Sequence, residues 1–450
     1  MKPIETHLIT VKKLGINGEG IGYYKKQPVF IDGALPGEEV IAEITHKAER
    51  FMRAKTVRIK KKSPDRTVPF CPIFHQCGGC QIQHLSVNAQ HQEKKHLVVE
   101  SLAKYANLTL APGTLLPVDK GFKDRYYRHK AQMPLVNTKD GIMTALYEKD
   151  SRKAVPMKTC PVHHPAINRV NQAVIKILND SDLDVFDATL RKGLLRTLVT
   201  RVSSFDESVQ VTLVVTIYNH SLREVANRIQ AIDGVKSVAI SKNYDVTTHE
   251  IMGETSEVLA GDDTIIEANG SLKFKLHPKS FYQLNPPVAH AMYDYVASLL
   301  TTEKTGIDLY TGSGTLALRL AKQLTKMTGV DLSEDSIKSA KANALTNDLK
   351  HVVFLKDKAA DGLKYLLKKE TPDLITFDPP RSGLDEKTLK MVAQSGVETL
   401  IYISCNPSTL GKNLNVLKKH YRVKSIKIYD MFPHTSHVES VVVLKRHPVS

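Results

Sequence analysis

A cysteine, Cys405, stands at the exit of the apolar run Thr399-Leu-Ile-Tyr-Ile-Ser404 and is followed by Asn406-Pro407. Packing cysteines sit mid-strand or mid-helix as small hydrophobes, whereas a thiol at a strand end before an Asn-Pro loop is exposed and suited to thiolate chemistry. Glu439 borders the closing apolar run Ser440-Val-Val-Val-Leu444. There a carboxylate has a raised pKa that suits proton abstraction, although Glu439 alone would read as a strand-edge charge. Asp378 ends the run Leu374-Ile-Thr-Phe377, and Pro379-Pro380 stop the strand and stiffen the loop behind it. Between the strand Thr305–Tyr310 and the helix Thr315–Ala321, the loop Thr311-Gly-Ser-Gly314 lets the backbone approach a ligand closely. Asp331 ends the next strand about twenty residues later, the spacing at which a carboxylate meets a ribose hydroxyl. Its competing reading is a helix cap, with Ser333 as the rival cap. Leu316 and Ala317 stand where a dinucleotide fingerprint has its third glycine, so a nucleoside cofactor without a pyrophosphate, such as S-adenosylmethionine, is favoured over NAD.

A second group of chemistry-bearing residues comes earlier. Cys71, Cys77 and Cys80 fall within ten residues, and Cys160 supplies a fourth thiol downstream. At this density packing is a poor explanation, and in a reducing compartment the pattern points to metal or cluster ligation. Zinc usually takes two CxxC-like pairs and only one is present, whereas an iron–sulfur cluster tolerates a distant ligand. Zinc stays open, helped by His75, His84, His163 and His164. The first spacing is too long for the CxxxCxxC triplet of a radical S-adenosylmethionine enzyme, which leaves a structural role for the site.

These residues need elements to hold them. At 450 residues the chain has room for roughly three domains. Residues 1–62 read as short strands punctuated by Gly15-Ile-Asn-Gly-Glu-Gly-Ile-Gly22, the pattern of a small closed β-barrel. Within it, Arg50 to Lys62 carries seven positive charges and no negative one. A lysine-guarded strand edge is the bland explanation, and a nucleic-acid-facing strip the favoured one. Residues 63–280 read as an α+β domain with the cysteine site, helices near Val87–Tyr105, Ile167–Leu178 and Ser221–Ala231, and strands such as Val209–Ile217. Residues 281–450 alternate strands with amphipathic helices, which predicts a mostly parallel α/β sheet of Rossmann type.

Composition narrows the partners. The net charge of +16 favours a polyanion. With 42% hydrophobic and 24% charged residues the balance is that of a globular protein, and no apolar run approaches the ~18 residues of a bilayer span. The chain's start lacks the apolar core of a secretion signal and its cysteines do not form a secreted disulfide framework, so the expected compartment is the cytoplasm. No obligate protein partner is inferred.

Tyr310-Thr-Gly-Ser-Gly-Thr315, Phe377-Asp-Pro-Pro-Arg381, Ile403-Ser-Cys-Asn-Pro407 and His434-Thr-Ser-His-Val-Glu439 together resemble the motifs of the RNA uracil-5 methyltransferases, and Ser280-Phe-Tyr-Gln-Leu-Asn285 resembles the segment opening their catalytic domain. The first 60 residues look like the TRAM RNA-binding module of that family, and the cysteine pattern like that of its ribosomal RNA branch. The resemblance implies Cys405 as nucleophile and Glu439 as base. It further implies that Gln283, Tyr310, Asp331 and Asp378 contact S-adenosylmethionine, beside Gly312 and Thr315 of the same loop, and that the four cysteines hold a [4Fe–4S] cluster. Uracil C5 is too weak a nucleophile to take a methyl group directly; thiolate addition at C6 makes it one, and a base then removes the C5 proton. The segment Arg125-Tyr-Tyr-Arg-His-Lys130 is a candidate partner for the flipped base, or else a core strand with a basic face. The substrate this implies is 23S rRNA. The same reaction on tRNA is the alternative, disfavoured because the family's tRNA enzymes are generally shorter and lack both the barrel and the cysteines. A non-catalytic RNA-binding assembly factor and a redox protein using the cluster are the readings from other classes.

Overall fold

In the computed structural model, which describes residues 5–119, 121–248 and 250–448, the first strands close on themselves. β1 (Thr6–Leu14), β2 (Gly20–Tyr24), β3 (Gln27–Asp32), β4 (Glu39–Lys47) and β5 (Met52–Lys61) form a barrel of order β1-β2-β3-β5-β4, in which β1 also pairs with β4. The period of two in β1 buries Ile9 and Val11 between exposed Leu8, Thr10 and Lys12, and the buried set joins Val29, Ile31, Val40 and Ala42 inside. The glycine-punctuated stretch is a turn only in its first half. From Gly20 it is strand, and a Cβ on Gly22 would lie 2.4 Å from Ile9 Cγ2 and 2.7 Å from the Thr10 carbonyl. Glycine's low strand propensity hides a strand that close packing requires. Closure also disposes of the guarded-edge explanation for the basic strip: β5 pairs with β3 on one side and β4 on the other, so there is no edge to guard. Met1 to Ile4, part of the start read for a secretion signal, lie outside the described residues.

α1 (Val87–Ala106) follows, capped by Ser86, whose Oγ accepts from Ala89 N, and ended by a left-handed Asn107. Next come β6 (Lys130–Thr138), β7 (Gly141–Tyr147), β8 (Ala154–Pro156), α2 (Pro165–Asn179), β9 (Leu195–Val202), β10 (Val209–Val215), α3 (Ser221–Gln230), β11 (Val235–Lys242) and β12 (Ser256–Gly261). The strands form one sheet of order β12-β11-β10-β9-β6-β7-β8. Every residue of β10 is buried, because alternate side chains face covered sides: Val209, Val211, Leu213 and Val215 join the α2–α3 core, while Gln210 donates to the Leu276 carbonyl. That carbonyl belongs to the hairpin of β13 (Ile265–Asn269) and β14 (Leu272–Leu276).

After α4 (Pro286–Ser298) the doubly wound part begins: β15 (Thr305–Leu309), α5 (Thr315–Ala321), β16 (Lys326–Asp331), α6 (Glu334–Thr346), β17 (Val352–Lys356), α7 (Ala359–Leu367), β18 (Leu374–Phe377), α8 (Glu386–Gln394), β19 (Thr399–Ser404), α9 (Pro407–Leu417), β20 (Tyr421–Tyr429) and β21 (Glu439–Arg446). The sheet order is β17-β16-β15-β18-β19-β21-β20. Strand order reverses between β15 and β18, so a crevice opens beyond the carboxyl ends of these parallel strands. β21 runs antiparallel to β19, with Ser404 opposite Ser440, so that its first residue lies at that same edge. Among the described residues no helix is long and apolar enough to cross a membrane.

Candidate active site and cysteine pocket

The β19–β21 register decides the chemistry. Cys405 follows Ser404 and Glu439 precedes Ser440, so two residues far apart in sequence emerge side by side at the crevice. One cavity of about 610 Å³ is lined by both, together with Gln283, Tyr310, Gly312, Thr315 and Asp378. Asp331 lies next door, in a cavity of about 560 Å³ that shares Tyr310 and Pro380 with the first. It is not the helix cap: Ser333 caps α6, and the Asp331 carboxylate accepts from Gly312 N at 2.9 Å and Ser333 N at 2.8 Å. The loop it steadies is wound tightly, with Tyr310 at φ 62° and Gly314 at φ 81°. A left-handed tyrosine is strained, and strain of this kind gathers at ligand-binding loops.

Burial dominates the electrostatics. The Cys405 thiol is pushed up to about 12 by burial first, then by the charges of Glu439 and Asp378, while Arg381 pulls it down. Burial and the facing Asp378 hold Glu439 well above the usual carboxylate range, again against Arg381. Asp378 is raised by burial and by Asp308. Asp308 itself is pushed up to about 6 by burial, although it accepts from Thr376 Oγ1 at 2.6 Å and Thr311 Oγ1 at 2.7 Å. The pocket thus sets three buried carboxyl groups, Asp308, Asp378 and Glu439, beside Arg381, and this acidic side suits a ligand carrying positive charge, as a sulfonium does. A nucleoside-sized cofactor fits the cavity volume.

Three residues outside the expected set complete the reacting end. Arg381 Nη2 meets His437 Nδ1 at 3.1 Å, and burial beside Arg381 lowers His437 to about 4. The ring is therefore neutral, and with Nδ1 accepting from the guanidinium its proton sits on Nε2. Arg128, from the basic aromatic segment, lines the same cavity. Arg381 stood inside a recognised motif and Arg128 inside a flagged segment; only His437's approach to Arg381 lacked a sequence signal. His434, in contrast, faces away from the cavity and bonds Gln90 and Asp124.

Cys71, Cys77, Cys80 and Cys160 also come together, around a cavity of about 100 Å³ that shares Gly79 and Arg128 with the larger one. Burial pushes Cys80 up to about 12, and the neighbouring thiols add to the rise. Among the described residues no set of three or more His, Cys, Asp or Glu stands close enough to hold a metal ion. Neutral thiols feel no pull toward a common centre, so convergence on one cavity is as far as the bare chain goes. Of the histidines that favoured zinc, His163 lines this cavity and is lowered to about 3 by burial, while His164 caps α2.

A doubly wound sheet whose carboxyl edge combines a cofactor loop, a thiol and a buried carboxylate defines a nucleoside-cofactor enzyme of the methyltransferase type. Comparison with known proteins narrows this. Residues 88–447 match the family tRNA (uracil-5-)-methyltransferase and residues 3–57 match the TRAM domain. An uncharacterized RNA methyltransferase of Halalkalibacterium halodurans is 38% identical, covering 97% of this chain and 95% of the relative. One of Bacillus cereus is 36% identical over 98% and 97%. Among solved structures, the Pyrococcus abyssi tRNA (uracil-54, C5)-methyltransferase in complex with S-adenosyl-L-homocysteine matches with a TM-score of 0.77 at 27% identity, over 97% of this chain and 99% of that one. The chain belongs to the RNA uracil-5 methyltransferase family, as an S-adenosylmethionine-dependent RNA methyltransferase with an N-terminal TRAM barrel. A tRNA enzyme that aligns over 97% of this chain and 99% of its own length departs from the expectation that the family's tRNA enzymes are generally shorter, and it leaves tRNA open as a substrate.

Proposed function

We propose that this protein methylates C5 of uracil in RNA through a covalent adduct, with Cys405 as nucleophile and Glu439 as base. The observation that carries the reading is the juxtaposition of thiol and carboxylate in one cavity at the sheet's switch point. S-adenosylmethionine, when bound, supplies an electrophilic methyl group on a cationic sulfur. Gln283, Tyr310, Gly312, Thr315, Asp331 and Asp378 would hold it. The Cys405 thiol gives up its proton to solvent and its sulfur adds to C6, and the C5=C6 electron pair moves into an enolate. C5 then bonds the methyl carbon as that carbon's bond to the cationic sulfur breaks, which would leave a neutral thioether. Glu439, ionised once positive charge faces it, removes the C5 proton; the C6–S bond then breaks and the C5=C6 double bond returns. Arg381 lowers both reacting groups and fixes the His437 tautomer, whose Nε2–H is a donor for the base.

Glu439→Gln should therefore stop at the methylated adduct, a protein–RNA species that survives denaturing electrophoresis. Cys405→Ala should form none, lose methyl transfer and keep its affinity for S-adenosylhomocysteine by calorimetry. Normal turnover by either variant overturns the assignment. We assign 23S rRNA as substrate on the likeness of the cysteine pattern to the ribosomal branch. The second reading, a tRNA uridine, is favoured by the solved relative. Mapping 5-methyluridine in both RNAs from a deletion strain and its parent decides between them. An RNA substrate is the support for a cytoplasmic site of action.

The four thiols fit a four-thiolate group in number and kind, and we propose a structural [4Fe–4S] cluster there, with zinc as the alternative. Anaerobically purified protein should be brown with about four irons per chain. Cys80→Ser or Cys160→Ser should bleach it, and colourless protein with stoichiometric zinc would show the other metal.

A further inference from the structure

The loop from Asp430 to Val438 joins β20 to β21, brings Phe432, Thr435 and His437 to the reacting cavity and delivers Glu439. Its own conformation is costly. His434 sits at φ 67°, a left-handed backbone that a residue with a Cβ keeps only when its surroundings impose it. Those surroundings come from outside the catalytic sheet. Gln90, fully buried on α1, accepts from His434 N at 2.9 Å through Oε1. Its Nε2 lies 3.1 Å from His434 Nδ1 and donates to the Leu85 carbonyl at 2.7 Å. One turn along the helix, Lys94 Nζ donates to Asp430 Oδ1 at 2.5 Å and to the Phe432 carbonyl at 3.1 Å. His91 Nε2 stands 3.3 Å from the other Asp430 oxygen. From the segment after the cysteines, Gln81 N and Ile82 N both donate to the His434 carbonyl, at 3.1 Å and 3.0 Å.

Stability is a poor explanation for this arrangement. The buried face of α1 is otherwise Leu97, Val98, Leu102 and Ala106, and burying a lysine–aspartate pair among such residues is often no better than apolar packing. What Gln90 and Lys94 do that leucine or methionine could not is bond both ends of the strained part of one loop. We propose that Gln90 and Lys94 are positioning residues, which fix the Asp430–His434 backbone and so aim Glu439 and His437 at the target uracil. The inference rests on the reading of Glu439 as base, and it joins α1 and the cysteine segment to the proton-transfer step.

Gln90→Leu and Lys94→Met are the primary variants. A misplacement of about 1 Å at a reacting group lowers turnover on the order of 10²-fold, so kcat should fall by that factor while KM for RNA and affinity for S-adenosylhomocysteine hold. The methylated protein–RNA adduct should accumulate, as in Glu439→Gln, and Lys94→Arg should recover part of the rate. Because Lys94→Met strands a buried carboxylate, the double variant Lys94→Met/Asp430→Asn separates folding from function. A double variant with restored Tm and still-low kcat supports positioning; restored kcat overturns it, as does a loss of kcat, KM and cofactor affinity in parallel with Tm. If Glu439→Gln traps adduct but Gln90→Leu turns over normally, positioning alone fails. If Glu439→Gln traps nothing, the base assignment fails, and a loss confined to kcat in Gln90→Leu still establishes the loop's dependence on α1.

Discussion

At the reacting thiol, burial and acidic neighbours oppose the charge that the chemistry needs. With its thiol pushed up to about 12, Cys405 in the free protein is overwhelmingly protonated at neutral pH. Its alkylation by iodoacetamide should therefore be slow at pH 7, rise about tenfold per pH unit, and show no plateau at the ~8.5 of an ordinary thiol. Mass spectrometry of the Cys405 peptide across pH reads this directly. A plateau near neutrality would mean that the thiolate is stabilised before any ligand arrives. The same physics marks what could be read at this scale. Cys405, Asp378 and Glu439 each announced themselves by standing at the end of an apolar run, a one-dimensional signal. Arg381's grip on His437 carried none, because it arises from two loops that meet only across the sheet edge.

Elements carry the site through register more than through the identity of any one strand. The parallel run of β15, β18 and β19 was legible as apolar stretches ending in glycine, aspartate or cysteine, and the helix Thr315–Ala321 stands where its pattern put it. Sequence does not say that β21 enters antiparallel beside β19 with Ser440 opposite Ser404, yet that pairing sets Glu439 by Cys405. Between β15 and β18 the register is braced by Thr376, fully buried, whose hydroxyl donates to Asp308. Thr376→Val removes that donor and should cost about 1–3 kcal/mol. The cost depends on pH with a definite sign. A carboxyl whose folded pKa is already raised to about 6 rises further when it loses a donor. The unfolded chain is common to both proteins, so the loss stays constant while both folded carboxyls are protonated, below about 6, and grows as pH rises through that value. Denaturant midpoints at pH 4 and pH 8 should thus diverge between wild type and variant; equal losses at both would remove Asp308 from the account.

Over the whole molecule, the pieces converge on one face of the chemistry. The Ser436 hydroxyl donates to the Ile16 carbonyl at 2.8 Å, so a turn of the barrel touches the loop that ends in Glu439. A polar cavity of about 410 Å³ lies among Asn17 and Arg53 of the barrel, Tyr147 at the end of β7 and Lys149 in the turn after it, and Arg381 and His437 of the reacting end. Net charge predicted a polyanionic partner, and the distant Cys160 does join Cys71, Cys77 and Cys80 around one cavity. The spacing of short strands predicted a closed barrel, and closure leaves the basic strip no edge to guard. All seven charges from Arg50 to Lys62 are exposed, and among the described residues only Lys55 has an ion-pair partner, Glu43. On a strand paired on both sides, such unneutralised charge is suited to phosphates. If Arg58 and Lys60 each meet one phosphate of single-stranded RNA, Arg58→Ala/Lys60→Ala should flatten the plot of log affinity against log salt by about 1.4, while affinity for S-adenosylhomocysteine is unchanged. Filter binding of one RNA at several salt concentrations measures the slope for both proteins. An unchanged slope would leave the strip as solvated surface and send the search for the RNA path to Arg53 and Lys149 in the polar cavity.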